Sequence, residues 1–598
     1  MCGILHVLSD EVKIMTHTDP FTVQNRRKTI TDRDLRYPRP QLCRERYLLL
    51  DGTWILNHSP IRVPFPPESE ASGFSGELRN ADGKLVYEKD FLIPDAWSGQ
   101  RILLHFGAVD QLCDVFLDNC FIGHHEGGYL PFSFDLGFLS SGSHALRVIA
   151  EDDLNPVYPY GKQCKKPHGM WYTEVSGIWQ SVWIEPVPDY YIKNLKITPD
   201  LEGVNIRIFP SAADAKLQPC EITVFAEGRV KKLHCSNTYF RINIARLFND
   251  LPGHPHLWTT DDPYLYRMII RCGEDQIQSY FALRTVEVRS RTSSSPPGIF
   301  LNGKRVFIKG ILDQGYFPNG IYVPDSPKEY ARDILRMKKL GFNLLRKHVK
   351  VEPEQYYYFC DILGMLVMQD IVNSGKYHMM FDTILPTIGF HLWPFLAVPK
   401  GRIGDLEADV NKSISDFRKL SFEERFRRRF FEHFLRETLR HLHNHPCIIA
   451  YSIFNEGWGQ YDSDRLYTLA KKLDPGRAYD SASGWFQGKC SDFDSAHIYY
   501  MNERVRPGTK PLLLSEVGGF QYDVQPEFSK GKSSYGYGKC SSSQGLKKKI
   551  RHMCKGMIDP VKEDGLAGYI YTQLSDVESE RNGLYTYDRS ICKLFYTP

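Results

Sequence analysis

Two β-sandwiches followed by an eight-stranded α/β barrel is the architecture this sequence predicts, and three observations predict it. The chain has 598 residues, too many for one hydrophobic core, and at about 150 residues per domain three or four units are expected. Over the first half, short apolar runs are separated by turn clusters. In the second half apolar runs alternate with helical segments of about 12 residues, which requires parallel strands joined by right-handed crossovers.

Residues 1–36 lack a sustained period and end in Arg36-Tyr37-Pro38-Arg39-Pro40, so they read as a surface leader. Residues 37–188 carry strand candidates such as RILLHF, DVFLD, HALRVIAED and WQSVWIEP between turns at Asp51-Gly52, Asp82-Gly83, Ser98-Gly99, Asp118-Asn119 and Gly127-Gly128, the pattern of an antiparallel sandwich. Residues 189–290 repeat it on a smaller scale (YIKNLKITPD, VNIRIF, EITVFAEG, YRMIIRC, IQSYFALRTVEV), with room for about seven strands of an immunoglobulin-like sandwich. RTSSSPPG, from Arg291 to Gly298, is a linker by composition. Residues 291–598 then give VFIKGIL, a helical SPKEYARDILRMKKLG, FNLLRKH, a helical EPEQYYYFCDILG and MLVMQD, followed by CIIAYSIFN, SAHIYY, PLLLSE and LAGYIYTQL. That is the sequence of a (β/α)8 barrel.

Composition removes several functions. The formal net charge is +4 with scattered basic residues, so no nucleic-acid footprint is expected. No stretch approaches the roughly 18 to 20 apolar residues of a membrane span, and the opening MCGILHVLSDEVKIM is too short and too acidic for a secretory signal. The 14 cysteines show no CxxC pair or regular framework, which suits reduced thiols and a cytoplasmic setting. Aromatic residues make up 13% of the chain, enough either for large sandwich cores or for platforms on which sugar rings stack.

In a barrel of this kind the site lies at the carboxyl ends of the strands. The polar residues ending each apolar run are Asp313 with Gln314, Arg346 with His348, Gln369 with Asp370, Asn455 with Glu456, His497 with Tyr499, Glu516, and Tyr571 with Gln573. Two glutamates in one cleft, ringed by hydrogen-bonding and aromatic groups including Trp458, fit glycosidic bond cleavage: one carboxylic acid protonates the departing oxygen while one carboxylate attacks the anomeric carbon. Asn455 offers an amide to a sugar hydroxyl, commonly the 2-OH, and the Tyr499 phenol is placed to orient the nucleophile. His441-x-His443-x-His445 is not read as a metal site, because alternate spacing aligns side chains on a strand and this stretch ends a helix. No metal or cofactor is expected.

YPRPQ, LLLDGTW, LHFGAVDQLCDVFLD, TEVSGIWQSVWIE, LNGKRVFIKG, SIFNEGWGQ, LLLSEVGGF and NGLYTYDR together resemble glycoside hydrolase family 2, over about residues 37–590. The resemblance implies a sugar-binding jelly roll for the first sandwich, the acid/base at Glu456 and the nucleophile at Glu516. It also implies that Glu456 and Glu516 stand on the fourth and seventh barrel strands. Two departures stand out. Many members end the second barrel strand in Arg-x-Ser-His-Tyr-Pro, whereas here Arg346-Lys347-His348-Val349-Lys350 lacks the serine and sets its histidine one place earlier. The β-glucuronidase branch has an Asn-Lys-Lys stretch where this chain has Glu580-Arg581-Asn582, so its lysine clamp for a uronic carboxylate is missing.

The expected activity is therefore that of a retaining exo-β-glycosidase acting on a carbohydrate without a cofactor. β-Galactosides lead, and β-glucuronides or galacturonides stay open because Lys347, Lys350 and Arg581 could hold a carboxylate. A transglycosylase would use the same two glutamates, and a carbohydrate-binding protein without catalysis would not need them. The aromatic insertion at 375–406 reads as a cleft wall or a contact in a homo-oligomer, and the glycine-rich 528–545 stretch as a lid or a solvated loop.

Overall fold

The computed structural model describes residues 30–211, 218–378, 420–499, 505–524 and 534–596. Most of the leader, the insertion from 379 onward and residues 528–533 of the glycine-rich stretch lie outside them.

The first sandwich packs a four-stranded sheet (Leu48–Leu49, Val182–Val187, Arg101–Phe106, Phe132–Phe138) on a six-stranded one (Ser59–Val63, Gly52–Leu56, Leu85–Ile93, Gly142–Glu151, Leu112–Leu117, Cys120–Glu126). Along Gly52–Leu56 the chain alternates, with Trp54 and Leu56 buried and Thr53 and Ile55 outward, so a period of two sends one face into the core. Trp54, Tyr87, Phe106, Val148 and Ile184 meet there.

The second sandwich has three strands (Ile192–Pro199, Gly203–Pro210, Tyr239–Asn243) facing four (Arg229–Cys235, Cys220–Ala226, Tyr266–Cys272, Asp275–Phe281). One sequence expectation changes here. Cys220 and Cys272 sit directly opposite one another on neighbouring antiparallel strands and form a disulfide, so the thiols are not all reduced. Strands 52 residues apart in sequence meet only in the fold, and no spacing rule would have paired them. Residues 291–297, expected as a linker, form the turn of an antiparallel hairpin between Val286–Arg289 and Gly298–Leu301.

The barrel strands are β1 Ile308–Asp313, β2 Leu344–Lys347, β3 Leu366–Asp370, β4 Ile448–Ser452, β5 Ala478–Asp480, β6 Asp494–Ile498, β7 Leu512–Gly518 and β8 Leu566–Thr572. They pair in parallel in the order 5-4-3-2-1-8-7-6. Both faces of these strands are covered, which is why they read as apolar runs without alternation. Helices Lys328–Lys339 and Glu354–Leu363 make the first two crossovers, each ending at or just before a glycine, Gly341 and Gly364, in the left-handed conformation. Among the described residues no helix is long and apolar enough to cross a membrane.

Two seams join the sandwiches to the barrel. At residues 37–44 the Tyr37 phenol donates to Glu185 at 2.6 Å, and Arg44 bridges Glu185 of the first sandwich and Asp275 of the second, both at 2.8 Å. Gln41 reaches the Asn444 carbonyl just ahead of β4. The second seam is a loop of the first sandwich, residues 155–173, which runs over the barrel mouth. Tyr160 pairs with the Asn373 and Gly375 carbonyls beyond β3, while Tyr172 and Thr173 bind Glu580 and Glu578 beyond β8.

Candidate active site

The mouth is built from strand ends. Beyond β4, Glu456 has a φ of 55°, in the left-handed region that a residue with a Cβ adopts at a cost, and its N–H is fixed on the Ser483 carbonyl at 3.1 Å. Glu516 lies within β7 and is buried. One oxygen of each carboxylate and a nitrogen of His497 all lie within 4.8 Å of one another. His497 stands between the two acids, its Nδ1 2.7 Å from Glu456 Oε1 and its Nε2 3.5 Å from Glu516 Oε1. The Tyr499 hydroxyl donates to the other Glu516 oxygen and lies 3.1 Å from Thr572 Oγ1.

Arg346, fully buried, organises this floor. Its Nε donates to Asp370 at 3.0 Å, Nη1 to Glu516 Oε1 and the Ser515 carbonyl at 3.0 Å each, and Nη2 to Asn455 Oδ1 at 2.9 Å and Ser483 Oγ at 2.8 Å. A guanidinium has five N–H groups, and all five are used inside the protein. Arg346 therefore positions Glu516 and Asn455 and has no donor left for a ligand. Asn455 Oδ1 also accepts from Ser483 Oγ, which turns the amide nitrogen, unbonded among the described residues, toward the cleft. Asp370 is shared in the same way, its second oxygen 2.8 Å from His348 Nδ1.

These contacts set the charges. Burial pushes Glu516 up, but His497 and Arg346 outweigh it and bring the carboxyl down to about 2. Asp370 is held below the usual carboxylate range against its burial by Arg346 and the His348 hydrogen bond. Burial, then the positive charge of Lys162, lowers His348. Burial and the two glutamates raise Tyr499, which keeps it a neutral donor.

Other expected residues fall around this group. Trp458 is buried, donates to the Gly375 carbonyl at 2.8 Å, and packs against Tyr160 and Trp171 from the first sandwich at 5.4 and 5.1 Å between ring centres, forming a wall beside Glu456. Gln573 donates to Asn582 at 2.8 Å and so holds the 580–583 turn. Two expectations are corrected. Asp313 faces a buried charge cluster: its carboxylate takes Lys347 Nζ at 2.8 Å and the Gly315 N–H at 2.9 Å, and Lys347 and Lys350 both bind Glu352. Tyr571 turns away, packing against Gly518 and Phe520, because successive strand residues face opposite sides and Thr572 has the inner one.

Ser483, Thr572, Tyr160, Trp171 and Lys162 complete the mouth and were not singled out from sequence. Thr572 was within reach of strand alternation. The other four depend on tertiary approach, three of them across a domain boundary.

The fold and the facing carboxylates define a class, a (β/α)8 barrel behind two sandwiches with paired glutamates at its mouth. Within it, residues 72–188 match the sugar binding domain of glycosyl hydrolases family 2 and residues 297–507 match that family's TIM barrel domain. The chain belongs to glycosyl hydrolases family 2. It is 24% identical over 471 residues to a β-galactosidase of Thermoanaerobacter pseudethanolicus, covering 73% of this chain and 54% of that one. It is 24% identical over 528 residues to a β-glucuronidase of Bacteroides fragilis, covering 82% and 68%. The chain thus spans about half to two thirds of the length of these curated relatives. Among solved structures, the β-galacturonidase of Eisenbergiella tayi superposes with a TM-score of 0.64 at 18% identity, covering 93% of this chain and 95% of that one. The β-glucuronidase of an uncultured Clostridium gives a TM-score of 0.69 at 18% identity, covering 93% and 97%.

Proposed function

We propose that this chain is a retaining exo-β-glycosidase, with Glu516 as nucleophile and Glu456 as general acid and base. The observation that carries the reading is the approach of the two carboxylates to within 4.8 Å, close to the roughly 5 to 5.5 Å of retaining enzymes and well short of the roughly 6.5 to 9.5 Å that leaves room for an attacking water. In the first step Glu516 attacks the anomeric carbon while the Glu456 proton passes to the glycosidic oxygen, releasing the aglycone as an alcohol. In the second, Glu456 takes a proton from water, the water oxygen bonds to the anomeric carbon, and the Glu516 ester is broken. A carboxyl at about 2 is ionised and ready to attack at any ordinary pH. Tyr499 and Arg346 fix its two oxygens, and the Asn455 amide is free to meet the 2-OH.

Relatives named β-galactosidase, β-glucuronidase and β-galacturonidase give two readings of the sugar, a neutral galactoside and a hexuronide. For the galactoside stands the missing lysine at 580–582, together with the engagement of Lys347 and Lys350 in their own cluster. For the hexuronide stands a lysine from another domain, taken up below. A cytoplasmic setting belongs to the proposal too, with the Cys220–Cys272 bond as the observation against it.

The mechanism is tested by the first-formed sugar. Proton NMR early in turnover of an aryl β-glycoside should show the β anomer before mutarotation, and an α product would overturn the assignment.

A further inference from the structure

The loop over the mouth brings a cation to the barrel. Between its two anchorages, Tyr160 on the β3 side and Tyr172 on the β8 side, lies Lys162. Its neighbours are pinned. Gln163 is buried and donates to Asp110 at 2.8 Å and to Tyr129 at 3.0 Å, and Gly161 sits so close to the barrel that a Cβ there would stand 2.8 Å from the Val349 carbonyl. The backbone of Lys162 is thus held beside His348-Val349 at the end of β2. The Lys162 side chain is half-buried and has no hydrogen-bond or ion-pair partner among the described residues. Its charge acts on both His348 and Glu516, which places it over the same cleft.

The charges around it need such a group if the sugar is an anion. Glu456, Glu516 and Asp370 are buried at the floor, and Arg346 has no free donor. Lys347 and Lys350 are bound to Glu352, and Arg581 lies beyond β8 near Asp523. A carboxylate entering this cleft would meet three acids, and Lys162 is a cation at the same mouth with no partner of its own among the described residues.

We propose that Lys162 is the specificity-determining residue that binds an anionic substituent of the terminal sugar, a carboxylate on C6, so that the substrate class is a β-hexuronide. The lysine absent from 580–582 is thereby replaced from beside the end of β2 and from a different domain. This inference rests on the glycosidase reading, and the test separates the two. The purified chain is assayed on matched nitrophenyl glycosides that differ only at C6, β-glucuronide against β-glucoside and β-galacturonide against β-galactoside. In one stereochemical pair the uronide should be preferred in kcat/KM, and Lys162→Met should lower that uronide-to-neutral ratio by about 10- to 100-fold, the worth of a charge-assisted hydrogen bond, while Lys162→Arg keeps most of it. If the wild type prefers the neutral sugar in both pairs, or Lys162→Met lowers both members equally, the role given to Lys162 is wrong and the glycosidase reading stands. If no member is cleaved, both fail. Should Lys162→Met not fold, salt decides on the wild type: the uronide KM should rise between low and high ionic strength more than the neutral KM, and parallel behaviour would overturn the proposal.

Discussion

Arg44 and Arg346 are both buried arginines set between two carboxylates, yet one joins domains and the other prepares a cleft. Around Arg44 every acid oxygen is answered: Glu185 takes Tyr37, Trp183, Arg39 and Arg44, and Asp275 takes Arg44 and the Ile192 N–H. Around Arg346 only one acid faces the mouth: Asp370 is bound on both oxygens by Arg346 and His348, whereas Glu516, with Arg346 and Tyr499 each on one oxygen, keeps an edge toward the cleft. The same ion pair is mortar when its lone pairs are saturated and machinery when one acid retains a free edge. Removing one partner from a buried pair strands a charge and costs about 3 to 5 kcal/mol, so the two clusters should fail in different ways.

The largest effect is expected at Glu516. Glu516→Gln should abolish turnover while the chain still folds, since Asp370 still balances Arg346, at a melting temperature lowered at neutral pH by the lost carboxylate; added azide should restore some activity with an inverted product. Near wild-type turnover would remove the nucleophile assignment. Next comes Arg44→Met, which strands Glu185 and Asp275 between the sandwiches and should cost about 3 to 5 kcal/mol in denaturant unfolding. The folded fraction of that variant should retain the wild-type kcat, and a fall in kcat would show that the seam reaches the chemistry.

The smallest effect is one of pH. Glu516 is depressed to about 2 against an unfolded value of about 4.3, so it binds fewer protons folded than unfolded. Its contribution is complete above the unfolded value and disappears as pH falls from about 5 to about 2. Stability curves of wild type and Glu516→Gln should therefore converge across that window, and parallel curves would contradict the depressed value.

The sequence made the barrel legible because its strands are buried on both faces and its helices carry the 3.6 period, so runs such as CIIAYSIFN and PLLLSE needed no alignment. Glu456, Glu516, Asn455, His497 and Tyr499 were legible for the same reason, since a polar residue at the end of an apolar strand has one place to go. Arg346 and Asp313 were placed at the right strand ends, but their chemistry depends on how many partners the fold gives them: five bonds for the guanidinium, a lysine cluster for the acid. Trp171 and Lys162 could not be read at all. They lie in a loop without period, and only docking brings it across the mouth.

That docking ties recognition to assembly. The loop at 155–173 leaves a ribosome before any barrel strand, yet it is shaped by what it lands on, the carbonyls beyond β3 and the acids beyond β8. A barrel that folded without its sandwich would own both glutamates and still be missing one side of its cleft. Selectivity among sugars, measured during refolding, should accordingly report the moment the first domain seats on the last.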